Sequence, residues 1–196
     1  MATEYELKFK ATPEILKAVE GDYPCYWETI EMETAYYDTP TGALSAKHYT
    51  LRQRLENGIS VCALKTPAGN ARNEWEIPWH SVESAIGYFL AMGCPAELET
   101  IAKEGLVHIC GAKFTRRAKQ LHFPEGSVEL ALDWGHLTGG GCIRPLCELE
   151  IELKSGSPLA CQLLAKELID RFAIQPEKKS KFARAMALFK GEQDAG

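Results

Sequence analysis

Charged side chains recur at every second position in several short stretches of this chain. Glu4, Glu6 and Lys8 alternate with Tyr5, Leu7 and Phe9. Arg52 and Arg54 alternate with Leu51 and Leu55, and Glu74 and Glu76 with Trp75 and Ile77. Glu148, Glu150 and Glu152 alternate with Leu149, Ile151 and Leu153, while Glu129 and Asp133 oppose Leu130, Leu132 and Trp134. A period of two belongs to a β-strand, whose successive side chains point to opposite faces. Each stretch therefore has one ionic face and one apolar face. Like charges two apart on a strand repel unless something neutralises them. Clustered carboxylates suit a hard divalent cation, which takes oxygen ligands. Clustered arginines suit a polyanion, because the guanidinium fork matches phosphate oxygens. Lys65 falls in a further stretch, and Arg117 and Lys119 share a face in another. Arg116 and Arg117 are adjacent, so only one can join the ionic face. Arg117 is preferred because Lys119 then lies beside it.

The elements that must carry these residues are mostly short strands. Eight runs read as strands: 4–10, 31–37, 50–56, 60–66, 72–79, 113–123, 127–137 and 146–154. Asn57-Gly58 between two of them is a hairpin signal. Helices are expected after Thr12-Pro13, Ser81, Pro95, Ser157-Pro158 and Pro176, where caps precede apolar residues at helical spacing. Gly139-Gly140-Gly141 reads as a flexible turn, since no strand-to-helix step with Lys and Ser or Thr follows it. The expected fold is α+β: an eight-stranded antiparallel β-barrel with helices packed outside, in one domain spanning residues 1–196. Those helices would cover Leu7, Phe9, Trp75, Leu132 and Trp134. The charged face would then line the interior. Burying charge is costly unless water, ions or a ligand compensate, and an eight-stranded barrel can hold one small ligand. The interior is thus the expected site.

Composition narrows the function. The chain has 196 residues and a formal net charge of −5. That balance does not suit a general nucleic-acid or membrane-surface binder. No apolar run is long enough to span a bilayer, and no signal region is legible. The seven cysteines are widely spaced without a C-x-x-C pair, which speaks against a zinc site and for buried thiols in a reducing cytoplasm. The five histidines show no ligand spacing.

Glu4-Tyr5-Glu6-Leu7-Lys8 resembles the Glu-x-Glu-x-Lys signature of the CYTH domain, or triphosphate tunnel metalloenzyme, superfamily. Tyr36-Tyr37-Asp38-Thr39-Pro40 is similar to the family's Tyr-Phe-Asp-Thr segment. Leu51-Arg52-Gln53-Arg54, Ala63-Leu64-Lys65, Ala131-Leu132-Asp133-Trp134-Gly135 and 148–154 are similar to further family strands, in the family's order. Ser180-Lys181 resembles its C-terminal Ser-Lys element. The resemblance implies an eight-stranded tunnel that hydrolyses inorganic triphosphate, most like bacterial inorganic triphosphatases. Thiamine triphosphatase, a class IV-type adenylate cyclase and a non-catalytic polyphosphate or nucleotide binder are the alternatives on the same fold.

Roles follow from the resemblance position by position. Glu4, Glu6, Asp133, Glu148 and Glu150 would hold Mg²⁺ or Mn²⁺. Lys8, Arg52, Arg54, Lys65, Arg117, Lys119 and Lys181 would bind the substrate's phosphates. The catalytic set would comprise Glu4, Glu6, Lys8, Glu74, Glu76 and Asp133, with Glu74 and Glu76 ordering water or bases. Glu152 falls near the tunnel rim. The expected partner is a small-molecule triphosphate, with no nucleic acid or membrane, and a homodimer is left open.

Overall fold

A computed structural model describes residues 5–69 and 71–192. The chain runs β1 (Glu6–Lys10), α1 (Pro13–Asp22), β2 (Glu28–Asp38), α2 (Ala43–Ala46), β3 (Thr50–Glu56), β4 (Ile59–Ala68) and β5 (Ala71–Pro78). It continues through α3 (Val82–Ala91), α4 (Glu97–Ala102), β6 (Val107–Phe123), β7 (Gly126–Gly139) and β8 (Cys142–Gly156). It ends with α5 (Pro158–Phe172), β9 (Gln175–Pro176) and α6 (Lys181–Phe189).

Local chemistry sets the element ends. Thr12 caps α1 by accepting the Ile15 N–H at 3.3 Å, with Pro13 in the first turn. Ser81, Ser157 and Ser180 cap α3, α5 and α6 in the same way. Asn57 and Gly58 both have positive φ, at 49° and 84°, the conformation that a tight hairpin between twisted strands needs.

All strands join one antiparallel sheet in the order β5-β4-β3-β2-β6-β7-β8-β1-β9. This corrects the expected eight-stranded barrel: the described residues form nine strands in an open sheet. Closure would require β1 to pair with β5. Instead β1 takes β9 on that edge, through Phe9 opposite Pro176 and Lys10 opposite Gln175. The central strands are also longer than the sequence suggested, with β6, β7 and β8 reaching 17, 14 and 15 residues.

The apolar face carries two cores. Leu16, Val19, Leu164 and Leu168 of α1 and α5 pack on Phe9, Leu132, Leu149 and Ile151. Val82, Ile86, Phe89 and Leu98 of α3 and α4 pack on Leu51, Leu64 and Trp75. Trp134 was expected beneath a helix, but it lies on an uncovered stretch of this face and is 39% exposed. Not every helix is on the apolar side. α6 lies across the charged face, where Ala185 and Leu188 pack with Ala112, Phe114, Leu137 and Leu146. The reason is visible in β6–β8: near the β7–β8 turn the charged face becomes apolar, and only a helix can cover it. Gly139 and Gly140 let that helix approach. A Cβ on Gly139 would meet the Ala185 carbonyl oxygen at 2.5 Å, and one on Gly140 the Leu188 carbonyl oxygen at 2.8 Å. The glycine run is therefore the seat of α6 rather than merely a flexible turn.

Candidate functional site

Strand register brings the ionic residues of distant segments onto one face. Residues directly opposite in an antiparallel pair share a face. Lys8 lies opposite Glu150, and Glu6 opposite Glu152. Glu148 lies opposite Asp133, which lies opposite Arg116. Arg52 is opposite Tyr36, and Arg54 is opposite Thr34. Lys65 is opposite Glu74. Two clusters result.

The first is acidic at its centre. Ligand oxygens of Asp133, Glu148 and Glu150 all lie within 4.8 Å of one another. Asp133 and Glu148 are fully buried. Such a group survives burial only with paired cations, and three supply the pairing. Arg116 donates two hydrogen bonds of 2.8 Å to Asp133 and a third to Glu150. The Lys181 ammonium lies 2.7 Å from Asp133, 3.0 Å from Glu150 and in contact with Glu148. Arg184 bonds Glu148 from the other side. Burial works against the Glu150 carboxylate, but Lys181 and Arg116 overcome it and hold its pKa well below the usual carboxylate range. Burial likewise opposes the Lys181 charge, yet Glu150, Asp133 and Glu148 push its pKa above the ordinary lysine range. An all-oxygen donor set of this kind fits a hard divalent cation.

The second cluster is basic at its centre. Arg52 reaches Glu74 at 3.3 Å and Glu76 at 3.6 Å. Arg54 pairs with Glu56 and with Glu76 at 3.5 Å, and Lys65 with Glu74 at 3.1 Å. Burial lowers the Arg54 pKa, and the positive charges of Arg52 and Arg116 add to the effect. The Arg54 Nε is buried without a hydrogen-bond acceptor. Tyr36 bridges the clusters. Its ring packs on Phe182 at 4.9 Å, and burial raises its phenol pKa, with the positive charges of Arg52, Lys181 and Arg54 acting against that rise.

Most of the expected site residues share this face. Glu6 and Lys8 pair at 2.7 Å at its margin. Glu152 pairs with Lys154 at 2.9 Å, further along the same strand. Glu4 lies outside the described residues. Two assignments are corrected. Arg117 and Lys119 face the opposite side of β6. Arg117 bonds Glu20 at 3.0 Å and Thr29, while Lys119 donates to the Pro24 carbonyl at 2.6 Å and lies 5.6 Å from the Trp27 ring centre. Both fasten α1 and its following loop to the sheet. Arg116, set aside in the sequence, is the arginine on the charged face. Its register opposite Asp133 was the missing information, and the alternation Arg116, Ala118, Gln120 alone does not reveal it.

Arg184 was not singled out in the sequence, while Glu129 and Tyr36 were placed there, on an ionic face and in the Tyr-Tyr-Asp-Thr-Pro segment, without a role. Arg184 follows Lys181 by three positions and so shares its helix face, a signal that was present. Glu129 lies 3.9 Å from Arg116 and 3.6 Å from Lys154. Asp38, in the Tyr-Tyr-Asp-Thr-Pro segment, is structural. Its carboxylate accepts the N–H groups of Thr39, Leu44 and Ser45 at 2.7, 2.8 and 3.0 Å, which turns the chain into α2.

An acidic and a basic cluster on one face of an antiparallel sheet define a class of site that can take a cation and a polyanion together. The CYTH domain family model matches residues 2–186, and the chain belongs to that family. It is 28% identical over 168 residues to an inorganic triphosphatase of Haemophilus influenzae. That match covers 80% of this chain and 47% of the relative, so the chain spans about half of that protein's length. Among solved structures, a Hippeastrum protein described as a putative adenylyl cyclase with a dominant triphosphatase activity is 17% identical, covers 99% of this chain and 98% of its own, and has a TM-score of 0.63. A Pyrococcus horikoshii protein is 23% identical, with 94% and 99% coverage and a TM-score of 0.62. A putative adenylate cyclase of Bacillus halodurans is 19% identical, with 91% and 94% coverage and a TM-score of 0.60. At these identities the structural likeness is one of fold. No helix among the described residues is long and apolar enough to cross a membrane.

Proposed function

We propose that this protein hydrolyses inorganic triphosphate to pyrophosphate and phosphate on the charged face of its sheet, with Mg²⁺ or Mn²⁺ as cofactor. The observation that carries the reading is the juxtaposition itself. A buried triad of Asp133, Glu148 and Glu150 stands beside Arg52, Arg54 and Lys65, with Arg116 and Lys181 between opposite charges. A pure anion binder has no use for the carboxylates, and a pure cation binder has none for the arginines. The Haemophilus influenzae relative supports the same activity.

The chain's own groups then have distinct tasks. Arg52, Arg54 and Lys65 exchange Glu74, Glu76 and Glu56 for phosphate oxygens, with Lys8 binding from β1. Arg54 Nε gains the acceptor it lacks in the protein alone. Arg116 aligns Asp133 and Glu150 through its hydrogen bonds and favours the ionised form of Glu150. Glu6, paired with Lys8 at the margin of this face, is a further candidate oxygen donor. The divalent ion, when bound by the triad, supplies Lewis-acid withdrawal of phosphate charge. Phosphoryl transfer depends on positioning and electrostatics, so no nucleophilic side chain is required.

The test incubates the protein with inorganic triphosphate, thiamine triphosphate and ATP, each with Mg²⁺ and with Mn²⁺, and identifies the products. Phosphate release from inorganic triphosphate should be much the fastest reaction. Cyclic AMP as the main product, or faster turnover of ATP or thiamine triphosphate, would overturn the assignment.

A further inference from the structure

The triad already holds a cation that belongs to the protein. Lys181 Nζ donates hydrogen bonds to Glu148 and Glu150 and lies 2.7 Å from Asp133, so all three carboxylates surround it. An ammonium is a compact point charge, and here it sits among the same oxygens that a metal ion would need. Arg116 and Arg184 complete the balance, so three carboxylates face three side-chain cations. A divalent ion added to this group would meet the ammonium at close range in a buried setting, where like-charge repulsion is poorly screened. Arg116 cannot readily yield, since it is locked by a two-pronged bond to Asp133. Lys181 can, because it is the first residue of α6 and has a long flexible stem.

We propose that Lys181 competes with the divalent cation for the triad, so that metal entry expels its ammonium and frees it to bind the incoming triphosphate. Lys181 thus has two alternating partners, carboxylates before loading and phosphate afterwards. The protein alone binds bare metal weakly, and a metal–triphosphate complex, whose anion offers the expelled ammonium a new partner, loads more readily than metal alone. This inference rests on the triad being the metal-holding group under the proposed function.

The test measures Mn²⁺ binding directly, by calorimetry or by the loss of the free-ion paramagnetic resonance signal, with no triphosphate present. Lys181→Met should bind Mn²⁺ at least tenfold more tightly than the unmodified protein, while its triphosphatase rate falls. A variant that merely misfolds would lose both. Equal or weaker Mn²⁺ binding by Lys181→Met would overturn the inference. Glu148→Gln separates the two readings. If it leaves Mn²⁺ binding unchanged, the triad is not the metal site and both fall. If it weakens binding while Lys181→Met does not strengthen it, only the competition fails. A second measurement uses the unmodified protein: amine acylation of Lys181, followed by mass spectrometry, should accelerate when Mn²⁺ saturates the site. An unchanged or slower rate would also overturn the inference.

Discussion

The two clusters solve the same electrostatic problem in opposite ways. Around the triad, carboxylates are buried on β7 and β8 at the middle of the sheet, and part of their neutralisation arrives from α6. Around Arg52 and Arg54, the cations are on β3, and their partners Glu74 and Glu76 stand on the edge strand β5. Glu76 is 42% exposed at its side chain, whereas Asp133 and Glu148 show none. A buried pair is expensive to break, because the group left behind is desolvated and unpaired. A half-exposed pair contributes little, because water and salt replace its partner. The acidic cluster is therefore a structural keystone as well as a candidate metal site. The basic cluster is partly buried, with side-chain exposures of 16–24% at Arg52, Arg54, Lys65 and Glu74, so it can give up its carboxylates to a passing anion at a lower cost than the fully buried triad.

The sharpest way to break this contrast is to remove a keystone. Glu148→Ala removes the nearest carboxylate of buried Arg184 and one of the three around Lys181, so unfolding free energy should fall by about 3–5 kcal/mol, read as a lower denaturant midpoint. A loss below about 1 kcal/mol would place the triad on the same footing as a surface pair. Arg54→Ala should do the reverse. Its stability loss should be small, while triphosphate binding weakens by about 1.5–3 kcal/mol for the lost charge-assisted bond, measured by calorimetry with Ca²⁺ in place of the activating ion. If stability suffers more than binding, the two clusters do not differ in the stated way.

Gly139→Ala tests whether α6 belongs to the acidic cluster. The new Cβ meets backbone atoms of α6 at 2.5 and 2.8 Å, and overpacking of this kind costs about 1–3 kcal/mol. Because the helix carries Lys181 and Arg184, activity should fall further than stability alone explains. Gly87→Ala, with no atom within 4 Å of the added carbon, is the control. The smallest effect is expected at Arg117. Arg117→Ala should leave turnover and KM unchanged and cost roughly 1 kcal/mol or less of stability, while Arg116→Ala should abolish most turnover. Equal losses in the two would restore Arg117 to the site.

Alternation in the sequence was enough to sort side chains into two faces, because a strand leaves no other choice. It placed Glu6, Lys8, Arg52, Arg54, Lys65, Glu74, Glu76, Asp133, Glu148 and Glu150 together, and Asn57-Gly58 and the Ser and Thr caps marked the element ends. It could not decide between Arg116 and Arg117. Two neighbouring residues of one type satisfy the period equally, and the choice depends on pairing with Asp133, 17 positions away. Nor could it decide whether the sheet closes. That depends on β9 taking the edge of β1, a pairing of two residues across a sequence separation that local pattern does not sense. The placement of α6 is the deepest case. Its apolar stripe is legible, but an amphipathic helix packs equally well on either side of a sheet. Only the tertiary structure brings the apolar patch of Phe114, Leu137 and Leu146 under it, with Gly139 small enough to let it close, and so carries Lys181 to carboxylates more than 30 residues away.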